Sequence, residues 1–306
     1  MEKQYDLLVI GGGPGGYTAA LYGARAGFRV AVVERLSAGG QMALTHQIDN
    51  YPGFPEGIDG YSLAEKMQTQ AHRFGAETLY GEVREANLLS DPKVLKTDRD
   101  TLTAPAVVIA TGANPRPLGL PEEKELINRG VAYCAACDGM FYRGKTVVVV
   151  GGGDTAAADA LLLSRICKEV HLVHRRDTLR ATKIYHEPIQ NTENIKLHWN
   201  STVETILHEK KVTGIILKNT ITGETEELSC EGVFVSVGRI PNTELFAAQL
   251  NLDKGGYIVA DENTHTNIPG VFAVGDVRTK DLRQVVTAVA DGAVAIHQAE
   301  EFLNAK

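Results

Sequence analysis

A strand, a glycine turn and a helix are written twice in this chain of 306 residues. The first copy runs from the apolar stretch Tyr5–Ile10 through Gly11-Gly12-Gly13-Pro14-Gly15-Gly16 into the alanine-rich Tyr17–Ala26, predicted as a helix. Gly27 ends it, and Arg29–Val33 is a second apolar run closing on Glu34. The second copy runs from Lys145–Val150 through Gly151-Gly152-Gly153 into a predicted helix over Asp154–Cys167. Val170–Val173 then closes on His174-Arg175-Arg176. Short apolar runs joined by a helix-length segment specify parallel βαβ units. A repeat of this span is a repeated domain, not a solenoid. The length agrees, since domains of about 150 residues give two here.

In the first turn Gly11, Gly13 and Gly16 have the full dinucleotide spacing. The first glycine makes the turn, the second lets backbone approach a pyrophosphate, and the third lets helix pack on strand. The helix N-terminus offers N–H groups and a partial positive charge to phosphate. Glu34 ends the second strand, where a carboxylate binds ribose hydroxyls. The second turn has Gly151, Gly153 and Ala156, and its strand ends on His174 instead of an acid. Arg175, Arg176 and Arg180 follow. Guanidinium groups pair with a 2′-phosphate that a carboxylate would repel. The second site therefore reads as an NADPH site, with His174 part of its loop. Two dinucleotide sites in one chain suggest cofactors that exchange electrons, and FAD is the economical second one. Gly275-Asp276, after the apolar run Val271–Val274, is a candidate contact for it; read alone, Asp276 is a cap or turn residue.

The net charge of −7 opposes a broad nucleic-acid surface. No apolar run approaches the ~18 residues of a membrane span, and the polar start Met1–Asp6 with the brief Leu7–Ile10 does not read as a signal peptide. These features point to a cytoplasmic protein. Of four cysteines, Cys134 and Cys137 form a Cys-x-x-Cys pair. Cys167 and Cys230 stand alone, so a zinc site would lack its second pair. No metal is expected. A redox dithiol needs only the pair itself. The charge of the adjacent Asp138 opposes a thiolate, and its expected role is to move protons during exchange. Cys167, on the apolar side of the second helix, and Cys230, opening a strand, are expected in the core. Ala113–Pro117 and Gly238–Asn242 read as linkers.

With these residues in place, the chain resembles the low-molecular-weight thioredoxin reductases over essentially its full length. The motifs that carry the resemblance are Gly11–Gly16, Gly39-Gly40-Gln41, Asn50-Tyr51-Pro52-Gly53, Ala110-Thr111-Gly112, Cys134–Gly139, Gly151–Ala156, His174–Asp177 with Arg180, and Gly275-Asp276-Val277 with Arg283-Gln284. The resemblance implies an α/β fold of two Rossmann-like, three-layer domains. The FAD domain is split over 1–113 and 242–306, and the NADPH domain over 114–241 is inserted in it. It implies FAD contacts at Gly11, Gly13, Pro14, Gly15, Gly16, Glu34, Arg35, Gly40, Gln41, Asn50, Val83, Ala110, Thr111, Gly112, Gly275, Asp276, Arg283, Gln284 and Val285. For NADPH it implies Gly151, Gly153, Asp154, Thr155, Ala156, His174, Arg175, Arg176 and Arg180. Cys137 is expected to face the flavin, Cys134 to attack the protein substrate and Asp138 to act as acid/base. A homodimer is expected, with thioredoxin as partner.

Two departures stand out. Ala136 lies between the cysteines where the family often has threonine. Ala158, followed by Asp159, stands where it often has glutamate. The implied path takes hydride from NADPH to FAD, then electrons to Cys134–Cys137, then to a thioredoxin disulfide. The pair and the NADPH site share one inserted domain but serve one flavin, so a rotation about the linkers is expected between half-reactions. The competing readings are a reductase of this fold fed by ferredoxin, a dithiol oxidase, and a non-enzymatic flavin redox sensor. The arginine cluster opposes the first.

Overall fold

The computed structural model describes residues 2–45 and 47–305; of the stretch Met1–Asp6, Met1 lies outside them. The chain forms two compact units, 1–114 with 240–306, and 115–239. The first unit begins β1 (Glu2–Gln4), β2 (Leu7–Ile10), α1 (Pro14–Arg25), β3 (Val30–Glu34), α2 (Gly60–Arg73) and β4 (Glu77–Tyr80). It continues β5 (Val83–Asn87), β6 (Lys93–Thr97), β7 (Thr101–Ala104), β8 (Ala106–Ile109) and β9 (Ala113–Pro115). The second unit holds β10 (Val131–Ala132), α3 (Ala135–Asp138), β11 (Thr146–Val150), α4 (Asp154–Ser164), β12 (Glu169–Val173) and α5 (His186–Asn191). It ends β13 (Ile195–His198), β14 (Ser201–His208), β15 (Val212–Asn219), β16 (Thr225–Ser229) and β17 (Gly232–Val235). The chain returns through β18 (Arg239–Pro241) to β19 (Val271–Ala273) and α6 (Val285–Asn304).

Each unit is built on a five-stranded parallel sheet. The orders are β19-β8-β2-β3-β4 and β10-β17-β11-β12-β13. The shared part, β8-β2-β3-β4 against β17-β11-β12-β13, is one topology used twice. The central strands are buried on both faces and hence continuously apolar, as in Leu7–Ile10 and Val147–Val150. Alternation along them sends side chains to opposite layers. Leu7 and Val9 pack with Tyr17 and Ala20 of α1, Leu63 of α2 and Ala295 of α6. Leu8 and Ile10 pack with Leu95 and Leu102 of the small sheet β1-β7-β6-β5. In the second unit Val147 and Val149 meet α4 and α5, while Val148 and Val150 meet the antiparallel sheet β14-β15-β16. Helices, parallel sheet and a second, smaller sheet make three layers in each unit; that smaller sheet is antiparallel in the second unit and mixed in the first, where β1 joins β7 in parallel. This is the expected α/β, Rossmann-like class.

Some local expectations shift. Helix α1 begins at Pro14, because proline suits the first helical position, where no N–H is needed. Helix α4 stops at Ser164, before the expected end at Cys167. The chain must turn within a few residues to enter β12, and Cys167 closes that turn, its amide donating to the Leu163 carbonyl at 2.8 Å. Cys167 is therefore buried beyond the helix, and Cys230 is buried between β16 and β17 rather than opening a strand. Burial pushes their thiols up, to about 11 and about 12. The two linkers are not loose: β9 and β18 pair as a two-stranded ribbon. The Arg116 amide donates to the Gly238 carbonyl and the Asn242 amide to the Gly112 carbonyl, both at 3.0 Å.

Candidate active site

The first glycine turn leaves the C-terminal end of β2 and enters α1. Gly11 has φ +102°, a conformation that favours glycine, and a Cβ there would strike the Ala110 carbonyl. A Cβ on Gly16 would overlap the Gly11 carbonyl, and one on Gly15 would meet Ala288 of α6. At Gly13 a Cβ would meet nothing within 4 Å. Packing thus excludes a side chain at Gly11 and Gly16 and crowds one at Gly15, while Gly13 leaves an open cradle at a helix N-terminus, which fits a pyrophosphate. Pro14 opens the helix. Gly40, in the short 3₁₀ turn Gly40–Leu44, backs this cradle: its Cβ would lie 3.8 Å from the Gly13 Cα.

Glu34 accepts the Gly12 amide at 2.7 Å and the Leu36 amide at 3.0 Å. Each carboxylate oxygen has a second lone pair for a ribose hydroxyl. Arg35 is exposed and 3.8 Å from Glu82. Val83 opens β5, its side chain packed against the core. Asn50 donates to Gln284 at 2.9 Å, and Gln41 to Asn114 at 3.0 Å, joining candidates far apart in sequence. Gln284 is the N-cap of α6, with Val285 its first residue. Ala110 follows β8; Thr111 donates to the Asn242 carbonyl at 2.7 Å, and Gly112 takes φ +68°. Gly275 and Asp276 form a 3₁₀ turn after β19. Arg283 lies over the Tyr257 ring at 4.1 Å and donates to the Asp276 and Arg278 carbonyls.

The second turn repeats the first. A Cβ on Gly151 (φ +154°) would strike the Ser236 carbonyl, whereas Gly153 is open. Asp154 and Thr155 start α4 and are exposed, and Ala156 is buried. Asp154 accepts the Thr182 amide at 2.6 Å, tying the turn to the arginine loop. His174 is buried with its ring under Gly152, where any Cβ would overlap it. Burial and then Arg180 hold its pKa below the ordinary value, which keeps the ring neutral beneath the turn. Arg175, Arg176 and Arg180 are exposed and, among the described residues, form no ion pair. Ala158 is exposed, so this helix offers no carboxylate there. Asp159 turns inward and accepts the Ser236 hydroxyl at 2.6 Å, with its carboxyl pushed up by burial.

Cys134 and Cys137 form a disulfide across α3, with Cα atoms 5.3 Å apart. The Cys137 amide donates to Cys134 Sγ at 3.2 Å, a contact that favours a thiolate on Cys134 once the bond opens. Both cysteines and Asp138 are half-buried. Tyr142 is held up near 12, by burial first and by Asp138 second. Among the described residues no cluster of His, Cys, Asp and Glu suits a metal ion.

Known proteins are similar to this chain over nearly its whole length. Residues 5–292 match the pyridine nucleotide-disulphide oxidoreductase family. A thioredoxin reductase of Peptoclostridium acidaminophilum is 45% identical, covering 100% of this chain and 99% of its own. The crystal structure of thioredoxin reductase from Streptococcus pyogenes superposes with a TM-score of 0.92 at 42% identity, covering 99% of both chains. The chain belongs to the thioredoxin reductase family. Membership makes it an oxidoreductase whose cofactors are FAD and NADPH. The enzyme of Lactococcus lactis, solved in its FR conformation, is also 42% identical but superposes at 0.70, covering 99% of this chain and 100% of its own.

Two residues near these sites carry no sequence signal. Glu123 is buried and accepts the Leu118 and Gly119 amides at 2.9 Å and the Tyr133 hydroxyl at 2.6 Å, bracing the residue before Cys134. Asp291 binds the Gly275 amide at 2.8 Å from within α6. Both are single acids in helical or loop sequence, and only the fold brings their donors to them.

Proposed function

We propose that the chain is an NADPH-dependent flavoprotein that reduces the disulfide of a thioredoxin. The observation that carries this is the Cys134–Cys137 disulfide, held in the unit whose glycine turn is followed by three exposed arginines. When bound, NADPH supplies hydride and FAD passes the electron pair on. Gly13 would leave room for the FAD pyrophosphate, Glu34 would hold its ribose, and Gly275–Val285 would supply a second wall. Gly153 makes the same room for NADPH, with Arg175, Arg176 and Arg180 taking the 2′-phosphate.

In the reduced pair, Cys134 attacks a sulfur of the thioredoxin disulfide and forms a mixed disulfide. Cys137 then attacks Cys134 Sγ, which restores Cys134–Cys137 and releases the thioredoxin dithiol. Asp138 takes and returns the protons. The same units must serve both half-reactions, so the inserted unit rotates between them. Two relatives of equal identity but unequal superposition support such motion in the family. Exposed Tyr22, Tyr61, Phe74 and Tyr80 on the first unit support a homodimer. No described helix is long and apolar enough to cross a membrane.

The deciding experiment is an anaerobic NADPH titration followed by flavin absorbance. Bleaching, with a second equivalent taken up only when Cys134 and Cys137 are intact, is the expected result. A flavin that stays oxidised under NADPH overturns the reading.

A further inference from the structure

We propose that Asp291 is the positioning residue of the flavin-binding loop, the latch that holds Gly275–Val285 in shape. The proposal rests on the FAD reading of the first unit. Every candidate flavin contact from the C-terminal part of the chain lies in this one loop: Gly275, Asp276, Arg283, Gln284 and Val285.

The loop is held by a charge network built on one carboxylate. Asp291 Oδ2 accepts the Gly275 amide at 2.8 Å and Lys280 Nζ at 2.7 Å. Its Oδ1 accepts Arg278 Nη1 at 3.2 Å. All three side chains are nearly buried, at 13% exposure for Asp291, 10% for Lys280 and 7% for Arg278. Arg278 Nη2 reaches on to the Ala260 and Asp261 carbonyls at 3.3 and 2.6 Å, while its Nε has no partner. Lys280 also donates to the Thr287 carbonyl at 3.3 Å.

Two nearly buried cations therefore share one nearly buried anion. A buried charge stripped of its partner is strongly destabilising, so the loop keeps its shape only while the Asp291 carboxylate is in place. Gly275 adds a backbone requirement. It sits at φ +72°, and Asp291 holds the amide of the residue directly before Asp276. Arg283 completes the closure by donating to the Arg278 carbonyl at 3.1 Å. Asp291 is engaged by three protein donors, all within or next to the turn, and its role is to position that turn.

The test uses purified holoprotein of the wild type, Asp291→Asn, Asp291→Glu and the double variant Lys280→Met/Asp291→Asn. FAD release on dilution is followed by flavin fluorescence, with the visible flavin spectrum, thermal unfolding and NADPH affinity measured alongside. Asp291→Asn should release FAD about tenfold faster or more, as the loss of a buried charge partner does elsewhere, and should shift the flavin band. NADPH affinity, which belongs to the second unit, should be unchanged. The double variant carries one unpaired cation fewer and should recover thermal stability while FAD still leaves quickly. Asp291→Glu should recover part of the retention. An Asp291→Asn protein that unfolds earlier but holds FAD as the wild type does would reduce the residue to a structural role. A wild-type protein that binds no FAD would instead overturn the cofactor reading itself.

Discussion

At Gly153 the backbone is extended (φ −94°, ψ −177°), a conformation open to any residue. No atom lies within 4 Å of a Cβ there. Gly153→Ala should therefore change stability by less than about 1 kcal/mol while filling the space reserved for a phosphate. The Michaelis constant for NADPH should rise about tenfold or more, the equivalent of ~1.4 kcal/mol. Gly16 is the opposite case. Its Cβ would overlap the Gly11 carbonyl, so Gly16→Ala should cost about 1–3 kcal/mol in urea unfolding. The exposed guanidinium of Arg176 is the third residue-scale case. A charge-assisted hydrogen bond is worth about 1.5–3 kcal/mol, so Arg176→Ala should weaken NADPH by roughly tenfold or more and leave NADH kinetics unchanged. The glycine turns are legible in sequence because spacing along one turn defines them, and the run of arginines stands out for the same local reason. Glu123 and Asp291 were not, because their partners come from distant segments and an acid alone carries no period. His174 was legible as part of its loop but not as the ring that fills the space beneath Gly152.

Between β12 and β13, His171 Nδ1 and His198 Nε2 lie 2.9 Å apart. Burial holds both below the ordinary histidine value. Glu169, 3.3 Å from His171, and Glu226 oppose that shift, while Lys196 adds to the shift at His171. The unfolded chain thus binds more protons than the folded one below about pH 6.5. Stability is full above that value and is lost as pH falls through the lowered folded values. Urea midpoints should drop between pH 7.5 and pH 5.5, and His171→Gln/His198→Gln should flatten the drop. The loop before α3 has its own anchor. Glu123→Ala would strand two amides and a phenol, and urea unfolding should show a loss of about 3 kcal/mol. The elements themselves were largely visible, since double burial makes the parallel strands continuously apolar. Their ends were not: α4 stops before the apolar pattern does, because the turn into β12 uses Ile166 and Cys167 as core.

For the whole molecule, the repeated glycine turn announced two units of one plan, and both carry the same parallel core with a smaller sheet on one face, mixed in the first unit and antiparallel in the second. The linkers were visible through their prolines and glycines, but their pairing was not, because hydrogen bonds between β9 and β18 join positions more than a hundred residues apart. The proposed rotation gives the test at this scale. A crosslink between the two units should stop thioredoxin reduction while flavin stays bound, and full turnover in the locked protein would refute the motion. The β9–β18 ribbon also has a consequence for ancestry. With Gly112 bonded to Asn242 and Arg116 to Gly238, the chain departs from the first unit and comes back at one place. A short bridge across that place would close the first unit alone, and the ends of the second already lie side by side. The nucleotide-binding insert is thus a cassette: a single recombination event at this doorway could exchange one source of reducing power for another and leave the flavin scaffold intact.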